Sequence, residues 1–253
     1  MTSKAKTIAF LAIIVGLGLA LGLWFEWPEL WADRDEDESA APAAAAVATP
    51  ETAAPLQPAG TQIKYNFDTD LPGQPPAKFH SGLTGRGKPG NWVVQAEPTA
   101  PSKPNVLAQT AGDKTDYRFP VAIADEASFR DLSLRVKYKA ISGNVDRAGG
   151  LVFRFKDANN YYVLRANALE DNFNLYRVVD GRRTEIEGSR AKVTSSEWHE
   201  LRVEAVGNKI TCYYDGNKKI EASDNTFKDA GKIGLWTKAD SVTYFDDLTV
   251  TAK

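Results

Sequence analysis

From Gln62 onward, short runs of alternating apolar and polar residues follow one another along the chain. Such alternation is typical of strands with one buried face, because successive side chains of a strand point to opposite faces of the sheet. Turn residues that tolerate a positive φ separate several of these runs, as in DANN, VDGRR, VGNK and YDGNK, and they predict hairpins. About a dozen such strands predict one all-β domain over residues 62–253, a two-sheet antiparallel sandwich of the jelly-roll type.

The front of the chain has a different pattern. Two lysines lie in residues 1–6, and a continuous apolar run from Thr7 to Phe25 forms most of a predicted anchor helix over residues 7–27. About 20 apolar residues are enough to cross a bilayer as a helix, and the tryptophans near its end suit a membrane interface. Lysines before the stretch place the N-terminus in the cytoplasm. We therefore expect a single-pass anchor in the cell membrane, with the globular domain in the periplasm or outside the cell. A cleaved signal peptide is the alternative, and it exports the domain as well.

Residues 28–61 are first acidic and then rich in alanine and proline, without a periodic apolar pattern. A segment of this composition cannot bury enough surface to fold, and its prolines keep it extended. We interpret it as a tether between the anchor and the domain. The first 60 residues carry a net charge of −5 and the whole chain −2, so the domain is close to neutral. This balance, and the lack of a basic stripe, argue against a nucleic-acid partner.

The chain contains one cysteine, Cys212, and two histidines, His80 and His199. One cysteine excludes a disulfide within the chain and a cysteine-rich zinc site. Cys212 lies in the alternating run KITCYYDG and is expected to be a small buried core residue.

Three stretches in a characteristic order carry a family resemblance. They are AGGLVFRFKDANNYYVLRANALEDNFNLYRVVDGRR, WHELRVEAVGNKITCYYDGNK and DAGKIGLWTKADSVTYFDDLTV. The order of the strands resembles the concanavalin A-like, laminin-G-like jelly rolls, and more closely the bacterial domains grouped with 3-keto-disaccharide hydrolases. The resemblance covers nearly everything from Phe67 to Val250. It implies two antiparallel sheets with a concave face, often a carbohydrate site, on an architecture that also serves enzymes, lectins and adhesion modules.

The alternation predicts a polar face on three strands. In GLVFRF, Leu151, Phe153 and Phe155 would face the core and leave Arg154 on the other face. By the same reasoning the predicted ligand-binding residues on that face are Arg154, Arg165, Asn167, Trp236 and Lys238, with Asn172 in the loop at the rim. Sugars are held by stacking on an aromatic ring and by planar polar groups that meet their hydroxyls. The alternative interpretation is a solvated sheet face with scattered charges.

A glycosidase of the usual kind needs two carboxylates placed across the scissile bond. The paired motif of the laminarinase-like relatives, E-x-D-x-x-E or E-x-D-x-E, does not occur in residues 61–253. A 3-keto sugar could instead lose a proton from the carbon beside its ketone, which needs one base and an oxyanion stabiliser. Weak candidates for the base are Glu170 and Asp171, with Arg165 or Lys238 as the stabiliser.

Jelly rolls often hold one calcium ion through carboxylates and carbonyls near the chain ends. FDTD, with Asp68 and Asp70, opens the domain, and FDD, with Asp246 and Asp247, closes it. A structural calcium ion on these four aspartates is one expectation, and turn-capping or solvated aspartates are the other.

Three functions remain open on the sequence alone. The first is a membrane-anchored module that binds carbohydrate on its concave face. The second is a glycoside or 3-keto-disaccharide hydrolase, which the family resemblance favours and the absent carboxylate pair disfavours. The third is an accessory subunit of a membrane complex whose domain makes only protein contacts with the other subunits.

Overall fold

A computed structural model describes residues 55–253, which contain fifteen strands and no helix. Eight strands form one antiparallel sheet: β1 (Gln62–Tyr65), β3 (Trp92–Ala96), β4 (Asn105–Gln109), β6 (Leu132–Ser142), β11 (His199–Val206), β12 (Lys209–Tyr214), β13 (Asn217–Ser223) and β15 (Val242–Ala252). Seven strands form the other: β2 (Phe79–Gly85), β5 (Arg118–Ala124), β7 (Ala148–Asp157), β8 (Asn160–Asn167), β9 (Asn172–Val179), β10 (Arg182–Arg190) and β14 (Lys232–Thr237).

The strand order is β13-β12-β11-β6-β15-β4-β3 in the first sheet, where β1 also pairs with β15, and β10-β9-β8-β7-β14-β5-β2 in the second. The predicted all-β, two-sheet antiparallel sandwich is confirmed. The anchor expected at residues 7–27 lies outside the described residues. Within residues 55–253 no helix is long and apolar enough to cross a membrane.

The main core lies between the two sheets. Side chains from both sheets meet there, including Val136 of β6 and Leu164 of β8, and Cys212 is buried among them, as expected from its alternating run. Burial of apolar area of this kind is the main stabilising contribution to the fold.

The seven-stranded sheet also has a second apolar layer on its outer face, the face turned away from the eight-stranded sheet. Along β8, Tyr162 and Leu164 enter the main core while Tyr161 and Val163 join this outer layer. The outer layer consists of Phe119, Val121, Ile123, Ala148, Val152, Phe155, Tyr161, Val163, Tyr176, Val178 and Trp236. The guanidinium groups of Arg165 and Arg183 lie over rings of this layer, so the outer face combines an apolar floor with charged groups above it.

The alternation fails at one point of β7. The register with β8 shifts between Phe153 and Asp157, and Arg154 has a φ of 48°. A bulge inserts one residue and reverses the facing of the residues that follow it. Phe155 therefore joins the outer layer, while Phe153 stays in the main core. This corrects the expectation that the two phenylalanines share a face, and with it the predicted placement of Arg154.

Candidate functional site

One row of residues crosses the outer face of the seven-stranded sheet. Arg165 of β8 lies opposite Asn174 of β9 on one side and Gly150 of β7 on the other, and Gly150 lies opposite Trp236 of β14. Directly opposite residues of antiparallel strands point to the same face. Arg165 and Trp236 are thus two strands apart, about 10 Å between their Cα atoms, with only a glycine between them. The sheet brings together two of the predicted ligand residues.

Trp236 is completely buried at the bottom of this face. Its ring stacks on Phe119 with 5.3 Å between centroids, and the guanidinium of Arg183 lies 5.9 Å from its ring centroid. The indole is part of the apolar floor. It does not offer an open stacking plane to a ligand, which corrects the role expected for it from the sequence.

Two arginines lie over the aromatic floor. The guanidinium of Arg183, from β10, is 4.5 Å from the ring centroid of Tyr176 and 4.9 Å from that of Phe119. Arg165 lies 5.2 Å from the same Tyr176 ring. A cation over an aromatic face is attracted by the ring quadrupole, and more strongly where water is excluded. The rings therefore fix the positions of two polydentate hydrogen-bond donors.

Arg165 belongs to a closed hydrogen-bonded group with Glu170 and Asn172, which we call the rim group. Its Nη2 donates to Glu170 Oε2 at 3.0 Å and to Asn172 Oδ1 at 2.7 Å, and Asn172 Nδ2 donates to Glu170 Oε2 at 2.9 Å. The side chain of Arg165 is 2% exposed and that of Glu170 is 43% exposed. The buried guanidinium of Arg165 thus holds the partly exposed carboxylate of Glu170 at the surface.

The charge state of Glu170 follows from these contacts. Burial alone would raise its pKa, but the charge of Arg165 and the hydrogen bond from Asn172 outweigh burial and lower the pKa below its usual value. Glu170 is therefore an anionic hydrogen-bond acceptor at neutral pH. A carboxylate held in this state is better suited to receiving hydroxyl hydrogen bonds than to removing a proton from carbon.

Asp146 is a site residue that the sequence did not reveal. It lies in the loop between β6 and β7, is 1% exposed, and its Oδ2 is 3.1 Å from Lys238 Nζ. Burial raises the pKa of Asp146, while the positive charges of Lys238 and Arg165 act in the opposite direction. Lys238 also contacts the exposed Asp116 at 3.0 Å. The predicted ligand residue Lys238 is thus placed near the end of the row, between two carboxylates.

The loop that carries Asp146 is fixed by a residue far away in the chain. Asp240 accepts the backbone N–H groups of Asn144, Val145 and Asp146 at distances of 2.9 and 3.0 Å. Next to it, Ser241 Oγ accepts the N–H of Ala148 at 3.0 Å. A carboxylate that satisfies three amides holds a loop in one conformation. The contact joins residues 94–96 positions apart, so no local signal could have revealed it.

Asn167 lies beside the site but supports its backbone. The side chain is fully buried, and its Oδ1 accepts the N–H of Leu169 at 2.9 Å. The next turn residue, Ala168, donates its N–H to Arg147 O at 2.9 Å and ties the β8–β9 turn to the Asp146 loop. Asn167 therefore shapes the rim.

Asp171 and Arg154 form their hydrogen bonds with residues outside the rim group. Asp171 accepts the N–H of Val193 at 3.0 Å and pairs with Lys192 at 2.9 Å, and these contacts lower its pKa. Arg154 donates to three carbonyl oxygens, those of Arg130, Phe227 and Gly207, and lies near Asp131. The structure brings neither side chain into the rim group, and the bulge in β7 is the reason for Arg154.

The four aspartates of the expected calcium site are hydrogen-bonded within the protein. Asp68 Oδ1 accepts the N–H of Asn105, and Asp70 offers its carbonyl oxygen to the same asparagine. Asp246 accepts the N–H and the hydroxyl of Ser102, and Asp247 pairs with Lys64 at 2.7 Å. Within residues 55–253 no group of three or more His, Cys, Asp or Glu side chains is arranged to hold a metal ion. The calcium site stays a prediction without geometric support.

Comparison with solved structures defines the class of the fold. The carbohydrate-binding module CBM66 from Bacillus subtilis superposes with a TM-score of 0.56 at 22% identity, over 68% of this chain and 95% of that chain. Cip1, a cellulose-induced protein, superposes with a TM-score of 0.55 at 12% identity, over 76% of this chain and 97% of that chain. The fold is thus a jelly roll like that of a carbohydrate-binding module.

The sequence comparison then identifies the family. The model of the 3-keto-alpha-glucoside-1,2-lyase-like domain matches residues 87–251, well over half of the chain. The chain belongs to this family. A levanase of Bacillus subtilis (strain 168) is 28% identical over 130 residues, which are 50% of this chain and 19% of the levanase. The chain therefore spans only about a fifth of that relative.

Proposed function

We propose that this protein binds a neutral carbohydrate at the rim of the outer face, through Arg165, Glu170, Asn172 and Lys238. The observation that carries the proposal is the rim group itself, in which a buried guanidinium, an amide and a partly exposed carboxylate are joined beside Lys238. Sites for small polar ligands combine an apolar floor with a few convergent polar groups, as found here. The levanase relative and the CBM66-like fold support the same ligand class.

The charge balance of the face favours a neutral ligand. Three cations lie on or beside the outer face, and four carboxylates accompany them: Arg165, Arg183 and Lys238, with Asp116, Asp146, Glu170 and Glu185. A polyanionic ligand would need an excess of positive charge, since charge complementarity steers and stabilises such complexes. Hydroxyl groups instead accept from guanidinium and ammonium groups and donate to carboxylates, so one sugar ring can satisfy both signs.

A second candidate function is catalysis on a 3-keto glycoside. Its support is the buried carboxylate of Asp146, whose raised pKa suits a general base, beside the cationic Lys238. In such a reaction the base would remove the proton from the carbon beside the ketone, and a cation would stabilise the enolate oxygen that develops. The enolate would then expel the glycosidic oxygen from the neighbouring carbon, and the protonated base or water would return a proton to that oxygen. Membership in the 3-keto-alpha-glucoside-1,2-lyase-like family favours this candidate. Asp146 replaces Glu170 and Asp171 as the residue best suited to the base.

Two measurements on the full-length chain separate these functions. The first is a glycan array, and the second is a turnover assay with plain disaccharides and their 3-keto derivatives. Binding without turnover is the expected result. Turnover of the 3-keto derivatives that is lost in Asp146→Asn would establish the enzyme. No binding and no turnover would contradict both functions and favour the accessory subunit of a membrane complex, with protein partners only.

We further propose that the domain acts outside the cytoplasm, tethered by the anchor helix expected at residues 7–27 and the linker at residues 28–61. The lysines before the apolar run support this location. A cleaved signal peptide, the alternative to the anchor, would also export the domain. Protease treatment of spheroplasts tests it. The domain should be degraded in intact spheroplasts, and a domain that is cleaved only after lysis would contradict the proposal.

A further inference from the structure

Two exposed apolar side chains stand at the rim of the candidate site. Val145 is 40% exposed and directly precedes Asp146, and Leu169 is 45% exposed and directly precedes Glu170. Single exposed aliphatic residues are common on protein surfaces and need no explanation. Here, however, each one is the chain neighbour of a site carboxylate, and the two loops that carry them lie at the same end of the seven-stranded sheet.

Both side chains are presented by fixed backbone. The N–H of Val145 donates to Asp240 Oδ1 at 3.0 Å, and the N–H of Leu169 donates to Asn167 Oδ1 at 2.9 Å. The bond from Ala168 N–H to Arg147 O joins the two loops at 2.9 Å. Because the backbone is already ordered, a ligand that touches these side chains loses little additional conformational entropy on binding.

We propose that Val145 and Leu169 form an apolar subsite that receives the C–H face of a second sugar unit. The inference rests on the proposed function, since the first unit would be held by Arg165, Glu170 and Lys238. It defines the ligand class as a disaccharide or longer glycan. The subsite extends the row of polar groups outward, from the rim group to the edge of the domain.

The small size of the Val145–Leu169 pair and its polar surroundings favour a sugar ring over a protein or lipid ligand. Interfaces for proteins or membranes use apolar patches of at least a few hundred Å², and two aliphatic side chains with carboxylates beside them are far smaller. A pyranose or furanose ring has an apolar C–H face bordered by hydroxyl groups. Such a ring matches a small aliphatic contact next to the partly exposed Glu170, whereas a lipid chain or an apolar peptide would lie against its charge.

The test compares one sugar unit with two. Isothermal titration calorimetry with the full-length chain would measure methyl α-glucoside against maltose, methyl α-mannoside against mannobiose, and methyl β-fructoside against inulobiose. The variants are Val145→Thr and Leu169→Asn, and the controls are Val206→Thr and Leu71→Asn, which make the same changes at more exposed aliphatic residues away from the site. In wild type, the preferred disaccharide should bind about tenfold more tightly than its methyl glycoside.

Each subsite variant should lose most of that tenfold gain and leave the methyl glycoside within about twofold, and the controls should change neither. Equal affinity for one and two units in wild type, or unchanged disaccharide affinity in both variants, would overturn the subsite. Octyl glucoside is titrated as an additional ligand, and variants that lose affinity only for it would overturn the second sugar in favour of an apolar aglycone. If Arg165→Ala weakens binding of the methyl glycoside while Val145→Thr and Leu169→Asn change no affinity, the proposed site stands and the subsite fails. If Arg165→Ala also has no effect, the proposed function itself fails.

Discussion

Arg165 and Trp236 occupy one row of the outer face, separated by Gly150, and both side chains are buried, yet their contacts differ. The guanidinium of Arg165 reaches the partly exposed Glu170, whereas the indole of Trp236 is buried against Phe119. Two residues of the same row therefore have different roles. Arg165 holds the carboxylate of Glu170 at the surface, and Trp236 supports the floor beneath the polar groups.

Arg165→Ala should weaken carbohydrate binding about tenfold or more, which corresponds to about 1.4 kcal/mol per factor of ten. The reason is that the variant removes a desolvated charged donor from the site. Its free energy of unfolding should fall by about 1–3 kcal/mol, because the buried guanidinium and its hydrogen bond to Asn172 are lost, while the carboxylate of Glu170 stays accessible to water. Calorimetric titration with the best ligand from the array, together with urea unfolding, measures both quantities.

Arg154→Ala provides the matched contrast. This arginine is equally buried, but it donates to three backbone carbonyls that would lose their partner. The free energy of unfolding should fall by about 2–4 kcal/mol, while the folded variant should bind carbohydrate as wild type does. If Arg154→Ala weakened binding as much as Arg165→Ala, the assignment of the site to the rim group would be incorrect.

Trp236→Ala should destabilise the domain by about 3–5 kcal/mol, because it removes the largest fully buried side chain and leaves a cavity under Arg183. Trp236→Phe should cost much less, since an aromatic ring can still stack on Phe119. Thermal unfolding followed by circular dichroism compares the two. A Trp236→Ala variant that melts like wild type would show that the indole is not part of the floor.

Gly150→Ala should also destabilise the domain, by about 1–3 kcal/mol. An added Cβ would lie 2.5 Å from the carbonyl oxygen of Leu164, so the backbone of β7 or β8 must move and the row would be displaced. Gly112→Ala is the control, because an added Cβ there meets no atom within 4 Å. Denaturant unfolding of both variants checks the prediction, and equal stability would contradict it.

The stability of the domain should fall in acid through Asp224. Burial would raise the pKa of this carboxyl, but hydrogen bonds from Thr226 and Tyr162 and the pair with Arg177 lower it from 3.8 to about 2. The unfolded chain binds the proton more readily, so this stabilisation is complete above pH 4 and is lost as the pH falls toward 2. The free energy of unfolding of the wild type should fall by about 1–2 kcal/mol over this range, and this fall should be absent from Asp224→Asn. Urea unfolding between pH 2 and 5 measures it.

Asp246 should make the domain less stable as the pH rises, which is the opposite of the effect of Asp224. Burial, with help from the charge of Asp247, raises its pKa from 3.8 to about 6 despite hydrogen bonds from Ser102. The folded protein therefore binds the proton more readily, and the contribution of Asp246 to stability decreases as the pH rises from about 4 to about 6. Asp246→Asn should remove this decrease. Unfolding curves for wild type and variant that stay parallel across this range would contradict the prediction.

The sequence by itself determined the fold class and the facing of most side chains. Alternation along β8 places Tyr162 and Leu164 in the main core and Arg165 with Tyr161 on the outer face, as the structure confirms. This succeeds because side-chain direction in a strand depends only on position along it, and a one-residue slip would expose the whole buried set.

Only the tertiary structure decided which of those residues form a site. The bulge in β7 removed Arg154 from the outer face, and the burial of Trp236 depends on Phe119 and Arg183 from distant strands. Asp146 became a site residue because Asp240, in the turn before β15, holds its loop. Bulges, burial and carboxylate caps depend on contacts between residues far apart in the chain, and alternation along a single strand contains no information about them.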